Sequence, residues 1–206
     1  MIVDIHTHIS DLRSPGSMDR MPLSVDALLQ RLDDEGIDQA VVLPWPACPE
    51  AVTLPALFLP NPDIVSQLQL ASAHPDRLIL FGNLDPRWAG NSPNADFTPL
   101  LERFIEMGCR GIGELAAGIP IDDPRVVNVF RQCGAMGLPV LIETAGPGLG
   151  RYGLIDEAHA PRLERVLGLV PEVIIIGHGP GFWAEIGEGL TDEAKSGYPS
   201  EPIGAG

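Results

Sequence analysis

Two histidines spaced two residues apart, His6 and His8, close the short apolar opening MIVDIHTHI. Side chains alternate across a strand, so positions i and i+2 face the same way, and two imidazoles held like this can chelate one divalent cation. Three more polar residues end apolar runs in the same manner: Glu114 in GIGEL, Glu143 in PVLIE and His178 in IIIGHGPGFW. A carboxylate at the end of a buried strand is costly unless water, a hydrogen-bond donor or a cation meets it, and a metal would be such a partner. A solvated strand end or a satisfied polar pair also accounts for any one of these residues. Asp4, one step deeper than His6, is read either as a buried carboxylate held by hydrogen bonds or as a group that orients a histidine. His74, at a helix end, and His159, on the approach to a helix, are peripheral.

Those residues need strands to hold them, and the chain alternates short apolar runs with stretches of helical period. Six β-α units are expected. Residues 1–6 form the first strand, and a helix N-capped by Ser24 runs through Leu28, Leu29 and Leu32 to Gly36. AVVLPW from Ala40 is the second strand. A proline-rich loop follows, with Pro44, Pro46, Pro49, Pro55, Pro60 and Pro62, long enough to be a functional cover. A helix from near Asp63 to Pro75 leads into LILFGNL, one from Thr98 to Met107 into CRGIGEL, one from Pro124 to Met136 into LPVLIET, and one from Pro161 to Leu169 into EVIIIGH.

Strands this apolar are buried on both faces, as in a parallel sheet covered by helices. Six strands would complete an open doubly wound sheet, but no G-x-G-x-x-G turn follows the first strand, where that fold carries its phosphate loop. A closed barrel instead gathers every strand's C-terminal end at one mouth, which brings His6, His8, Glu114, Glu143 and His178 together. The expected architecture is therefore an α/β fold of the (β/α)₈ TIM-barrel type, with about six of eight units in one domain over residues 1–206. The net charge of −15 excludes nucleic acid and an anionic membrane surface as partners. Cys48, Cys109 and Cys133 form no C-x-x-C pair, so neither a disulfide framework nor a cysteine zinc site is expected, and a cytoplasmic setting fits. The opening residues are neither a signal peptide nor a membrane span.

DIHTH at the start, GIGEL in the middle and IIIGHGPGFWAEI late in the chain, in that order and spacing, resemble the amidohydrolase superfamily. The likeness takes in AHPDRLILFGNLDPR and GRYGLIDEAHAPRLERVL, and it is nearest to the amidohydrolase-related branch that includes aminocarboxymuconate-semialdehyde decarboxylase and resorcylate-type decarboxylases. The resemblance implies a distorted (β/α)₈ barrel and a divalent metal held by His6 and His8. It places His178 at the strand-six histidine and Glu114 at the variable strand-four position. It departs at Glu143, which stands where the family has a strand-five histidine; carboxylate oxygen also ligates Zn²⁺ or Mn²⁺. The expected metal set is His6, His8, Glu114, Glu143 and His178, with Zn²⁺ foremost and Mn²⁺ or Fe as alternatives, and His178 and Glu143 as the catalytic pair. The resemblance also leads one to expect a seventh and eighth unit, with a strand-eight aspartate as base, so the sequence reads as a partial barrel.

The implied reaction is hydrolysis of an amide, ester or lactone of a small molecule by a metal-activated water. Metal-dependent decarboxylation of a small carboxylic acid, aromatic or not, is the alternative, and a metal-binding member without turnover is another. Arg13, Arg151 and Tyr152 are expected to grip a substrate carboxylate or ring, with solvated loop positions as the plainer reading. Trp183, with Phe182, either walls the pocket or packs in the core. A homo-oligomer is compatible with all of this.

Overall fold

The structure is a computed structural model that describes residues 1–9, 24–45, 48–49, 64–147, 152–186, 190–193 and 195. In chain order the elements are β1 (Val3–Thr7), α1 (Val25–Asp34), β2 (Gln39–Val42), α2 (Ile64–Ser72), β3 (Leu78–Gly82), α3 (Trp88–Asn91), α4 (Thr98–Glu106) and β4 (Gly111–Leu115). They continue with β5 (Ala117–Pro120), α5 (Pro124–Ala135), β6 (Val140–Ala145), β7 (Gly153–Ile155), α6 (Pro161–Leu169), β8 (Ile175–His178), α7 (Pro180–Trp183) and a 3₁₀ turn (Ala184–Ile186).

Local chemistry explains the helices. Ser24 accepts a hydrogen bond from Ala27 N at 3.2 Å and opens α1, whose buried face is Val25, Leu28 and Leu32. The helix closes where Gly36 takes φ +68 and Ile37 N donates to Leu32 O. Proline stands in the first turn of α4, α5 and α6, where its missing N–H costs nothing. Asp123 caps α5. The start of α6 is served from a distance: the Asp156 carboxylate accepts from Arg162 N at 3.0 Å and Leu163 N at 2.8 Å.

All strand pairs are parallel. Six strands, β1-β2-β3-β4-β6-β8, form the expected arc of a (β/α)₈ barrel. Their two faces fill two clusters. Ala40, Val42, Leu80, Ile112, Val140 and Ile142 belong to the core shared with Leu28, Leu68, Phe104, Val126 and Phe130 of the helices. The alternating positions Val41, Leu43, Phe81 and Leu141 pack together on the opposite face. Two strands were not expected. β5 continues the path of β4 after Ala116, and β7 pairs with it and with the end of β6, making a short side branch. Among the described residues no helix is long and apolar enough to cross a membrane.

Candidate metal centre

Parallel pairing brings the predicted residues to one end of the arc. Register sets Glu143 directly opposite His178. Glu114 lies next to last in β4, and His6 and His8 straddle the end of β1. The imidazoles of His6 and His8 approach to 2.9 Å between their Nε2 atoms, and Glu114 Oε2 stands 3.6 Å from the first and 3.5 Å from the second. The other carboxylate oxygen, Oε1, faces His178 Nδ1 at 3.9 Å, and that nitrogen is 2.6 Å from Glu143 Oε2. Glu114 thus belongs to two triangles, His6–His8–Glu114 and Glu114–Glu143–His178. The rings of His6 and His178 meet edge to face at 3.6 Å.

The surroundings fix protonation. His8 Nδ1 lies 3.0 Å from Leu43 O, which can only accept, so Nδ1 carries the proton and Nε2 turns its lone pair toward Glu114 and His6. Trp45 stacks on the His8 ring, with centroids 4.5 Å apart. Burial lowers the His8 pKa to about 4, only partly offset by Glu114. Burial likewise lowers His178 to about 4, and His6 pushes in the same direction. Both imidazoles are neutral at neutral pH, the form in which an imidazole can ligate a metal. Burial raises Glu143 to about 10, helped by the charge of Glu114 and the hydrogen bond between them. Burial opposes ionisation of Glu114 too, but the neighbouring imidazoles of His6 and His8 outweigh that and hold it at about 2. Two buried carboxyls therefore share one proton, and it resides on Glu143.

Gly179 makes room for this arrangement. Its φ is +88, and a Cβ there would sit 2.4 Å from the Glu143 carboxylate. Thr144 Oγ1 donates to His178 O at 3.1 Å and anchors the end of β8.

The donor set suits a cation. Ligand atoms roughly 2.0–2.2 Å from a tetrahedral Zn²⁺ lie roughly 3.3–3.6 Å apart, and two sides of the His6–His8–Glu114 triangle, 3.5 and 3.6 Å, fall in that range. The 2.9 Å side is somewhat shorter. Among the described residues no lysine or arginine pairs with Glu114 or Glu143.

The other predicted residues are placed as follows. Tyr152 is hydrogen-bonded to Glu114, with burial and then that carboxylate raising its pKa, and it packs with Trp45, Cys48 and Ala116. Trp183 is exposed on α7, whereas Phe182 packs on Gly177 of β8. Asp4 accepts from the backbone N–H of His6 at 3.0 Å and so braces the chain rather than a ring. Arg13 and Arg151 lie outside the described residues. His74 and His159 sit in turns, His159 with φ +70. Trp45, the Leu43 carbonyl and Asn83 join the centre without having been singled out. Trp45 and Asn83 end apolar strands just as the histidines do, and that position was the available signal.

No family model and no curated protein sequence matches the chain. Solved structures do. A putative amidohydrolase from Staphylococcus aureus superposes with a TM-score of 0.52 at 14% identity over 93% of this chain and 73% of that one. The chain shares the fold of that structure. An amidohydrolase 2 from Bifidobacterium longum subsp. infantis gives 0.51 at 17% identity, covering 94% of this chain and 65% of that one. A 4-oxalomesaconate hydratase from Rhodopseudomonas palustris gives 0.50 at 16% identity over 86% and 62%. This chain thus spans less than two thirds of the length of those last two barrels.

Proposed function

We propose that this amidohydrolase-fold chain carries the metal centre of a hydrolase that uses water to cleave a C–N or C–O bond in a small amide, ester or lactone. The observation that carries the reading is the convergence of three imidazoles and two buried carboxyls with no basic side chain paired to either carboxyl among the described residues. Hydrolases and hydratases both add water to a substrate, and structural neighbours named for each support a water-activating centre.

His6, His8 and Glu114 would hold the cation, with Glu143 and His178 beside it. Zn²⁺ suits this nitrogen and oxygen set, with Mn²⁺ or Fe as alternatives. When bound, the cation supplies Lewis acidity toward a water or a carbonyl oxygen. The protein's own part is proton handling. Glu143, which holds the shared proton, stands 2.6 Å from His178 Nδ1 and would pass that proton to a leaving group, and Glu114 holds its carboxylate against the hydroxyl of Tyr152. The Leu43 carbonyl keeps His8 in the tautomer that a cation needs.

The test is metal content by elemental analysis, for the wild type and for a His6→Ala/His8→Ala variant. It is followed by a panel of lactones, esters and amides assayed with and without chelator. Roughly stoichiometric metal that vanishes in the variant, with chelator-sensitive hydrolysis, supports the proposal. Release of carbon dioxide from aromatic carboxylic acids in place of hydrolysis would reassign the centre to decarboxylation. A well-folded protein that binds no metal would refute the reading.

A further inference from the structure

Asn83 follows β3 directly and is completely buried. Its side-chain nitrogen donates to three backbone oxygens: Glu114 O at 3.1 Å, Pro44 O at 3.2 Å and Trp45 O at 3.4 Å. Its Oδ1 is buried with no hydrogen-bond partner among the described residues. The orientation of the amide is unambiguous, because turning it over would set its oxygen against three others. The fold thus tolerates an orphaned acceptor in order to place an NH₂ group among these carbonyls.

The three carbonyls belong to two chain segments, one that carries Glu114 and one that supports His8. One is the carbonyl of Glu114 itself. The other two follow Leu43, whose own carbonyl fixes His8 Nδ1, and one of them belongs to Trp45, which stacks on the His8 ring. A single side chain therefore ties the platform beneath His8 to the peptide that carries Glu114. We propose that Asn83 is a positioning residue for the metal centre, holding His8 Nε2 and Glu114 Oε2 at their 3.5 Å spacing before a cation arrives. The inference rests on the metal reading above. Preorganised ligands bind a cation more tightly because less ordering remains to be done on binding.

The experiment uses the whole chain with Asn83→Asp, which keeps the shape but replaces the donor with a carboxylate, and Asn83→Ser, which removes most of the tie with a small side chain. The control is Gln132→Leu. Gln132 is also a partly buried amide, accepting from Phe97 N at 2.7 Å and donating to Ala95 O at 2.8 Å, but it touches none of the metal candidates. Co²⁺ and Zn²⁺ affinities are measured by chelator competition, together with the visible absorption of the Co²⁺ form and the melting temperature of the metal-free protein. Both Asn83 variants should bind roughly 10- to 100-fold more weakly, with an altered Co²⁺ spectrum. Gln132→Leu should lower the melting temperature and leave affinity and spectrum unchanged. A folded Asn83 variant with wild-type affinity and spectrum overturns the inference and leaves the metal reading intact. A wild type that binds neither cation overturns both.

Discussion

Carboxylates occur in two settings in this molecule. Around the rim, Asp85 and Asp123 each begin the tripeptide Asp-Pro-Arg, and each grips its own arginine in the same way. Asp85 accepts from Arg87 N and Nε and pairs with its terminal nitrogen at 2.6 Å, and Asp123 repeats the pattern with Arg125. Asp122 is matched with Arg162 and Arg165. At the mouth of the arc, Glu114 and Glu143 meet only each other, imidazoles and a tyrosine hydroxyl among the described residues. Asp85 and Asp123 carry their countercharge in the sequence two residues later, whereas among the described residues no basic side chain pairs with Glu114 or Glu143. A buried carboxyl without a cationic partner is expensive, and clusters of that kind mark functional sites more often than structural ones.

The sharpest way to break this contrast is at Glu114, which both triangles share. Glu114→Gln keeps the shape and removes the charge. It should weaken metal binding by about 100-fold or more, beyond the ~10- to 100-fold typical of residues that only support ligands. Calorimetric titration of metal-free protein measures it. An affinity within a few fold of wild type would mean that the centre is not organised around Glu114.

Gly179→Ala attacks the same centre through the backbone. An alanine at φ +88 is strained, and its Cβ would fall on the Glu143 carboxylate. Together, backbone strain and overpacking should cost about 2–5 kcal/mol, read from chemical denaturation. Wild-type stability would mean that Glu143 sits elsewhere.

Most of the arc could be read before any coordinates. Apolar runs bounded by helix caps located all six barrel strands, and the strand-end rule gathered His6, His8, Glu114, Glu143 and His178, because parallel strands put those ends on one side. β5 and β7 escaped because they are four and three residues long, carry Gly118, Pro120 and Gly153, and owe their pairing to each other rather than to an apolar pattern. Asn83 was hidden for a different reason. Its partners lie 31 to 39 residues away, and no local periodicity reports a hydrogen bond of that range. Asp156, capping α6 from six residues before Arg162, lies outside the spacing of an ordinary N-cap.

Protonation separates Glu143 from Asp123 by sign. In metal-free protein Glu143 holds its proton up to about pH 10, while the unfolded chain releases it near the usual carboxylate value. The folded state then binds more protons, so this group makes stability fall as pH rises. His8 and His178, lowered to about 4, act below the ordinary histidine value, and Cys109 and Cys133, raised to about 12 by burial, act above the ordinary thiol range. Between about pH 7 and 8 Glu143 therefore dominates, with a slope of up to about 1.4 kcal/mol per pH unit. Glu143→Gln should flatten that slope in chelator-treated protein, followed by urea denaturation across the window. An unchanged slope would place the proton on another group.

Asp123 should answer in the opposite way to Glu143 and more weakly. The Arg125 guanidinium holds Asp123 below the usual carboxylate value, so its contribution is present above that value and is lost as pH falls through the lowered one. Asp123 also caps α5 through Arg125 N at 2.9 Å, and Arg125 reaches on to Asn91 Oδ1 at 2.5 Å. Asp123→Ala removes cap and pair together and should cost about 1–2 kcal/mol at neutral pH. The cost should shrink in acid, and metal content should stay at the wild-type level. Denaturation at pH 7 and pH 3, beside elemental analysis of the same samples, measures all three. A loss of metal in this variant would erase the distinction between carboxylates neutralised by their own arginines and the proposed metal centre.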